Sequence, residues 1–363
     1  MGNRTLLKAL CGTVAACLMS FIGVGMSHAD EVTKVGFVYV GPVGDHGWTF
    51  RHDAGRKAVE AEFGDKVKTT YVESVNEGAD AERVIRKLAS SGHDLVFTTS
   101  FGFMNATAKV AKQFPKVKFE HATGYKRADN LSTYAARFYE GRAVIGNIAG
   151  HLTKTGIVGY VGSFPIPEVV RGINAFTIAM RKVNPNAVVK VVWVNSWYDP
   201  GTEGDAAKAL IDQGADIIAQ HTDSPAPLQV AEQRGVHGFG QASDMSAFAP
   251  KAQLTAIVDN WDSYYRDRTR AVMDGTWKST DTWGGIASGM VEIAPYGDAV
   301  PDDVRADADA VAKAISTGEL HPFQGPIVNQ AGETVVPEGT TLSDEELLGM
   351  NWYVEGVQGE LPK

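Results

Sequence analysis

Short apolar segments alternate with amphipathic ones along most of this chain, and that alternation is typical of strands separated by helices. In the second amphipathic segment, for example, Val84, Ile85 and Leu88 fall on one face of a helix. The pattern predicts strands near 35–40, 69–74, 94–100 and 118–123 and helices near 48–63, 79–91 and 104–113. Because strands that alternate with helices pair through right-handed crossovers, we expect a parallel sheet.

The same pattern then occurs a second time. Residues 88–96 correspond to residues 210–218, an offset of 122 positions. Strands are predicted near 157–162, 189–195, 216–221 and 237–242. Helices are expected to begin near Pro200 and Pro225, since proline is well tolerated in a first helical turn. A repeated unit of this size predicts two similar lobes.

Further elements connect the repeats and follow them. The pattern predicts crossing segments at 131–138 and 253–258, a helix that begins near Tyr139, helices at 261–273 and 302–315, and a hairpin at 325–336. The hairpin turns at 329–332, where Asn and Gly are typical turn residues. We expect it to be a surface feature without contact to a ligand.

The expected fold class is α/β with two lobes, each a parallel sheet flanked by helices. We expect lobe 1 to comprise 30–138 with part of about 262–320, and lobe 2 to comprise 139–260 with part of about 321–363. Ligands of open α/β sheets bind outside the carboxyl ends of the strands. Two lobes that face each other therefore form a cleft able to close on a small molecule.

The first 29 residues have the composition of a secretory signal peptide. Arg4 and Lys8 precede an apolar run at 9–26, and the small residues Ser27 and Ala29 predict cleavage after Ala29. A retained anchor and a lipoprotein form are the alternatives. The chain has two cysteines, both inside this segment, so we expect a periplasmic mature protein without disulfides.

Charge and motifs narrow the function further. The chain carries 34 Lys and Arg against 43 Asp and Glu, without the basic cluster that nucleic-acid binding needs. The nine histidines show no metal-ligand spacing, and no G-x-S-x-G elbow occurs. We therefore expect no enzyme, no metal and no cofactor, although sequence alone leaves paired glycosidase carboxylates open.

Aromatic and polar residues occur together where the predicted strands end. The first strand is followed by a loop that presents Asp45 and Trp48, whose spacing does not match a phosphate-binding loop. The other candidates at strand ends are Phe101, Phe103, Tyr125, Trp197, Tyr198, Asp223 and Asp244. Flat apolar surfaces with a few directed polar groups are typical of a small-molecule site. A planar heterocycle would gain about 0.5–1.5 kcal/mol from each stacked ring.

Four segments together resemble the basic-membrane-protein family of ABC-transporter substrate-binding proteins. They are the loop at 41–48, the turn at 197–200, the strand entry at 214–218 and the closing segment at 352–357. The resemblance covers essentially the whole chain after residue 29. It implies a type I periplasmic-binding fold, no catalysis, a purine nucleoside or base as ligand and an ABC permease in the inner membrane as partner. We expect a monomer.

The resemblance also assigns roles to residues. It implies that Trp48 stacks on a purine, with Asp45 at the start of that motif, and that Trp197 closes the stack from the second lobe. Asp244 lies in the segment that supplies a ribose-binding carboxylate in nucleoside binders. Asn260 completes the expected site. Nucleoside binders tend to show a lysine near this position, and residues 259–261 contain none.

That missing lysine favours a free purine base, adenine first, over a nucleoside. A sugar-binding or chemosensory receptor of the same fold is the rival hypothesis, because pyranoses also stack on tryptophan. Sugar sites commonly use arginine to pair with hydroxyl groups, and the strand ends contain none. Arg171, at the start of a predicted helix, weakens this argument.

Overall fold

The computed structural model describes residues 32–362, so the predicted signal peptide at 1–29 and its cleavage point lie outside it. The strands are β1 (Thr33–Val38), β2 (Val67–Val72), β3 (Leu95–Thr98), β4 (Lys118–Ala122), β5 (Leu131–Ala136), β6 (Ile157–Gly162), β7 (Val188–Trp193), β8 (Ile217–His221), β9 (His237–Gly240), β10 (Gln253–Asp259), β11 (Asp281–Gly284), β12 (Val291–Ile293), β13 (Ile327–Val328), β14 (Thr334–Val336) and β15 (Val357–Gln358). The helices are α1 (Gly47–Phe63), α2 (Ala79–Ser90), α3 (Met104–Gln113), α4 (Phe138–Leu152), α5 (Pro167–Val183), α6 (Pro200–Asp212), α7 (Ala226–Gln233), α8 (Asp262–Met273), α9 (Asp302–Thr317) and α10 (Asp344–Leu348).

The strands form two large sheets. The first has the order β11-β5-β4-β3-β1-β2, and all of its strand pairs are parallel. The second has the order β12-β10-β9-β8-β6-β7-β15, in which only the β10–β12 pair is antiparallel. The predicted strands and helices of both lobes are confirmed, with ends shifted by one or two residues.

Helices cover both faces of each sheet, which is why the central strands are apolar on both sides. In the first lobe, α2 and α3 enclose one core with Val38, Val96 and Phe119. In the second lobe, α6 and α7 enclose another with Val161 and Ile218. The facing sides of both sheets share a third core, which α1, α4, α5 and α8 fill.

The chain passes between the sheets more than once. It leaves β5 for α4, returns from β10 to α8, and crosses again from β11 to β12. Helix α8 packs on α1, where Tyr265 contacts Gly55 and its hydroxyl bonds His52. Residues 281–284 therefore belong to the first sheet, and 291–293 and 357–358 belong to the second.

The C-terminal segment lies against the second lobe. The predicted hairpin forms between β13 and β14. Contrary to expectation it is more than a surface feature, because Ile327 and Val336 are buried in the shared core. Farther along, Asn174 on α5 accepts from Val354 N and donates to Trp352 O, which leads β15 onto the edge of the sheet. Within residues 32–362, no helix is both long enough and apolar enough to cross a bilayer.

Candidate functional site

A cavity of about 350 Å³ lies where the carboxyl ends of the two sheets face each other. Residues of both lobes line it. The first lobe contributes Val40, Trp48, Ser100, Phe101 and Thr123, and the second contributes Glu168, Trp197, His221, Asp223 and Gln241. Eight of these residues lie at the end of a strand or within four residues after it, and Trp48 and Glu168 lie in the first turn of a helix. The cavity therefore has the position at which parallel α/β sheets bind ligands.

The backbone around the cavity is strained in both lobes. Ser74, Thr123, Asn195 and Ala242 adopt positive φ angles of 55°, 61°, 53° and 59°. Each lies within two residues of the end of a strand, and Thr123 itself lines the cavity. Side chains other than glycine rarely adopt this conformation, which costs about 1–3 kcal/mol and is concentrated at functional sites.

Trp48 is held rigidly at the wall of the cavity. Its Nε1 donates to the carbonyl oxygen of Thr99 at 2.6 Å. The ring packs edge-on against Trp261, at 5.6 Å between centroids, and against Phe138, at 5.9 Å. These contacts leave the indole one orientation, so its contribution to the cavity is fixed before a ligand arrives.

Trp197 approaches the same cavity from the second lobe. Its ring packs against Phe164 at 5.1 Å. Its Nε1 donates to Oε1 of Glu77 at 3.3 Å, and the same oxygen accepts from Ser100 Oγ at 2.5 Å. Since Glu77 and Ser100 belong to the first lobe, this carboxylate joins the two lobes beside the cavity.

The first turn of α1 makes a second connection between the lobes. Gly47 N donates to Ser243 Oγ at 2.7 Å, and Arg51 Nε donates to the carbonyl oxygen of Asp259 at 2.6 Å. A Cβ atom at Gly47 would lie 2.5 Å from the carbonyl oxygen of Asp223. The lobes are thus in direct contact around the cavity, as expected of a closed binding protein.

Burial changes the titration of the acidic groups at the cavity. Burial, and after it the charges of Glu203 and Asp259, raise the pKa of Asp223 well above its usual range, although a hydrogen bond from Trp48 N opposes this. His221 Nε2 lies 3.6 Å from Glu168, and burial lowers the pKa of His221. The protonated form of Asp223 and the neutral form of His221 are therefore favoured, and each can donate or accept hydrogen bonds.

Of the ten residues expected in the site, four line this cavity: Trp48, Phe101, Trp197 and Asp223. Two more border adjoining hollows. Tyr125 lines one of about 1080 Å³ that shares Phe101 with the cavity, and Tyr198 lines one of about 280 Å³ that shares Trp48.

The other four expected residues lie away from the cavity. Asp45 is exposed and contacts His46 Nδ1 at 2.8 Å, whereas Phe103 is fully buried in the core beneath α2 and α3. Asp244 accepts from Ser246 N and Gln253 Nε2, so it stabilises its own turn. Asn260 donates to Glu292 at 2.8 Å and accepts from Asp262 N. Each of these polar groups is already satisfied by a local partner, which sequence alone does not reveal.

The sequence analysis did not select six of the lining residues: Val40, Ser100, Thr123, Glu168, His221 and Gln241. Four of them stand within two residues of the end of a strand, and Gln241 follows β9 directly. The predicted strand at 237–242 extends two residues beyond β9, which placed Gln241 inside the strand and not at its end. Glu168 is the second residue of α5. The only feature of the sequence that marked this position was the preceding proline.

Segment 259–261, which lacks the lysine of nucleoside binders, forms part of the core below Trp48. Trp261 is 0% exposed and stacks on His52 with 4.8 Å between centroids and 8° between planes. The carboxylate of Asp259 is fully buried and bonds no group of the described chain, and burial raises its pKa well above the usual range. The segment thus supplies an aromatic wall. In residues 32–362, no three His, Cys, Asp or Glu side chains group as metal ligands would.

Two sheets joined by crossing segments, with a cavity between their carboxyl ends, define a type I periplasmic-binding fold, and the predicted fold class is confirmed. The family model described as ABC transporter substrate-binding protein, PnrA-like, matches residues 32–320. The chain belongs to this family, as its resemblance to basic-membrane proteins implied.

Individual relatives agree with this family. The chain is 57% identical to a purine-binding protein of Brucella abortus over 350 residues, which covers 96% of this chain and 100% of that protein. It is 37% identical to a putative ABC transporter glucose-binding protein of Haloferax volcanii, with coverage of 97% and 86%. An ABC transporter solute-binding protein of Aeropyrum pernix has the same fold, at a TM-score of 0.69 and 18% identity, over 88% of this chain and 98% of that one.

Proposed function

We propose that this protein captures a free purine base, adenine first, and delivers it to an ABC permease of the inner membrane. One observation carries the proposal: Trp48 and Trp197 come from different lobes and line the same cavity with Asp223. Indoles on opposite lobes suit a flat heteroaromatic ligand, and the partly buried carboxyl of Asp223 suits its polar edge. The 57% identical relative is called a purine-binding protein, which supports the same ligand class.

The cavity favours a base over a nucleoside. Trp261 packs directly against Trp48 where the segment of nucleoside binders tends to carry a lysine. Ribose hydroxyls buried without partners would each cost about 1–3 kcal/mol. The proposed ligand is therefore the base alone.

A sugar is the competing ligand, since the Haloferax relative is called a putative glucose-binding protein. The lining residues of the cavity include no arginine to pair with several hydroxyl groups. The sequence left Arg171 as a residue that could bind a sugar. Its side chain donates to the carbonyl oxygen of Leu347 and stacks on Trp283, in the adjoining hollow. These observations favour the purine.

We further propose that the protein works as a periplasmic monomer. The segment at 1–29 has the composition of a secretory signal, and members of this family supply ligands to permeases. Delivery requires release, so the contacts between the lobes at Gly47 and Glu77 would have to open at the permease.

Calorimetry with adenine, adenosine and glucose tests the ligand. We expect adenine to bind at least about tenfold more tightly than adenosine, because of the unsatisfied ribose, and glucose to give no heat. Mass spectrometry of material released by denaturing the purified protein should identify a purine. Adenosine binding as tight as adenine would refute the preference for the base, and glucose binding without adenine binding would refute the purine.

A further inference from the structure

Gln241 lies at the cavity and is held from behind by a buried arginine. Gln241 is 3% exposed and lines the cavity where β9 ends. Its Oε1 accepts a hydrogen bond from Nη2 of Arg142, a residue of α4 that is 1% exposed. Arg142 is fixed in turn, because its Nη1 donates to the carbonyl oxygen of Gln220 at 2.8 Å and its guanidinium lies 5.5 Å from the ring of Tyr160.

This contact decides which way the amide of Gln241 points. The oxygen and nitrogen of a carboxamide are normally assigned from their partners. A guanidinium has donors only, so the atom that faces Arg142 must be the oxygen. The NH₂ group then faces away from Arg142, and Oε1 is the side-chain atom of Gln241 that forms a hydrogen bond within residues 32–362. The cavity therefore presents an amide donor at this point.

We infer that Gln241 is a specificity-determining residue that donates a hydrogen bond to an acceptor atom of the ligand ring, and that Arg142 is the positioning residue that fixes this donor. The inference rests on the proposed function, because a purine carries such acceptors at N1, N3 and N7. It extends that function by assigning the recognition of a ring nitrogen to a pair of residues.

The rest of the second lobe fits this role. The cavity is lined beside Gln241 by Glu168, His221 and Asp223. Most of the polar side chains that can bond a ligand therefore belong to the second lobe. The carboxyl groups and His221 can accept from the N–H groups of a purine, and protonated Asp223 or His221 can also donate, so their role changes with protonation and orientation. A fixed amide supplies the complementary donor. If a bound ligand offers no acceptor, the amide donor stays unsatisfied in the cavity. Such a ligand should therefore bind more weakly.

Analogues of adenine in which N1, N3 or N7 is replaced by C–H test the contact. Calorimetry should show that one of the three deazaadenines binds the wild-type protein at least about tenfold more weakly than adenine. The same measurement on Gln241→Leu, which keeps the size of the side chain but cannot donate, should show no such difference. Adenine itself should bind this variant about tenfold more weakly than it binds the wild type.

Arg142→Met tests the positioning role, since the variant keeps Gln241 but frees its amide to rotate. We expect discrimination between adenine and the weakened analogue to fall severalfold, and Arg142→Lys, which retains a donor, to restore part of it. A merely structural role would weaken adenine and the analogue by the same factor. If Arg142→Met does not fold, the positioning role is still tested by Arg142→Lys and Gln241→Leu. The quantity compared is the ratio of the dissociation constants of the weakened analogue and adenine.

The outcomes separate the two proposals. If adenine binds the wild type and none of the three analogues is weakened, or if the weakening persists in Gln241→Leu, the role of Gln241 is refuted while the purine function stands. If adenine does not bind the wild type, the proposed function falls and this inference falls with it.

Discussion

The two tryptophans of the cavity differ in how the protein holds them. Trp48 is locked by a hydrogen bond to the backbone and by packing on Trp261 and Phe138, so it belongs to both the core and the cavity. Trp197 contacts Phe164 and reaches Glu77 of the other lobe. Both residues pack against the shared core, but Trp48 contacts two buried rings whereas Trp197 contacts the partly buried Phe164, so the two should respond differently to truncation.

Trp197→Ala is expected to weaken adenine binding by about 1–3 kcal/mol, from lost ring burial and stacking, without lowering the melting temperature of the ligand-free protein. Trp48→Ala should lower both the affinity for adenine and the melting temperature, because it also leaves a cavity beside Trp261. Calorimetry and thermal unfolding of both variants give the comparison, and Trp197→Phe serves as the control that keeps a ring. A fall in stability without loss of affinity in Trp197→Ala would make that residue structural.

Buried histidines should make the protein sensitive to acid. His121 is 0% exposed, and burial lowers its pKa from 6.5 to about 3; burial also lowers the pKa of His52 well below 6.5. The unfolded chain binds protons at these residues below pH 6.5, whereas the folded chain does not. The stability is therefore unaffected by these groups above pH 6.5 and falls as the pH drops below 6.5; for His121 the loss continues to about pH 3, at about 1.4 kcal/mol per pH unit.

Urea unfolding between pH 7 and pH 5 measures this effect. Asp223 and Asp259, whose pKa values are raised, contribute with the opposite sign, because their stabilisation is lost as the pH rises. The histidine contribution is isolated by comparing the wild type with His121→Gln. The variant should lose less stability on acidification, and an unchanged pH slope would mean that His121 is protonated in the folded state.

At the level of elements, the N-terminus of α1 is the part of the first lobe that touches the second most closely. It begins at Gly47, whose φ of 76° and missing side chain allow its backbone to meet Asp223. A residue with a Cβ atom would suffer both an unfavourable φ and a clash with backbone across the cleft. The helix start therefore limits how far the lobes can close.

Gly47→Ala should weaken adenine binding by about tenfold or more, because the lobes cannot reach the closed arrangement. Gly44→Ala is the matched control: Gly44 also has a positive φ, of 52°, but a Cβ atom there meets only His46 at 3.9 Å. Both variants carry backbone strain, so a difference in affinity isolates the clash. Equal affinities in calorimetry would show that closure does not depend on Gly47.

The sequence predicted the elements well and the site only in part. Strands and helices follow from local periodicity, and the repeat between 88–96 and 210–218 revealed the second lobe. Which strand-end residue faces the cavity depends on partners far away in sequence. Asp244 accepts a hydrogen bond from Gln253. Gln241, three positions earlier, is oriented by Arg142 of α4. No local pattern distinguishes these two cases.

For the whole molecule, three hydrogen bonds join the lobes beside the cavity, in addition to the apolar core that the two sheets share. Gly47 with Ser243, Arg51 with Asp259, and Glu77 with Trp197 are hydrogen bonds that water can replace when the lobes separate. A ligand that contacts both lobes adds its own affinity to the closed state only. Closure should therefore depend on the ligand.

Small-angle scattering is expected to show a smaller radius of gyration with saturating adenine than without it, and tryptophan fluorescence should change as Trp48 and Trp197 enclose the ring. Gly47→Ala should show less compaction at the same ligand saturation. Scattering and fluorescence that stay the same at saturating adenine would mean that the ligand-free protein is already closed or that the cavity does not bind adenine.

The order of the strands along the chain also determines when the sheet of each lobe can be completed during synthesis. The edge strand of the first sheet, β11, comes from residues 281–284, and that of the second, β15, from residues 357–358. A chain that emerges from its N-terminus must therefore leave the β5 edge unpaired until residues 281–284 appear and the β7 edge unpaired until residues 357–358 appear. Pairings between such distant segments form slowly. The architecture therefore delays completion of the second sheet to the end of synthesis.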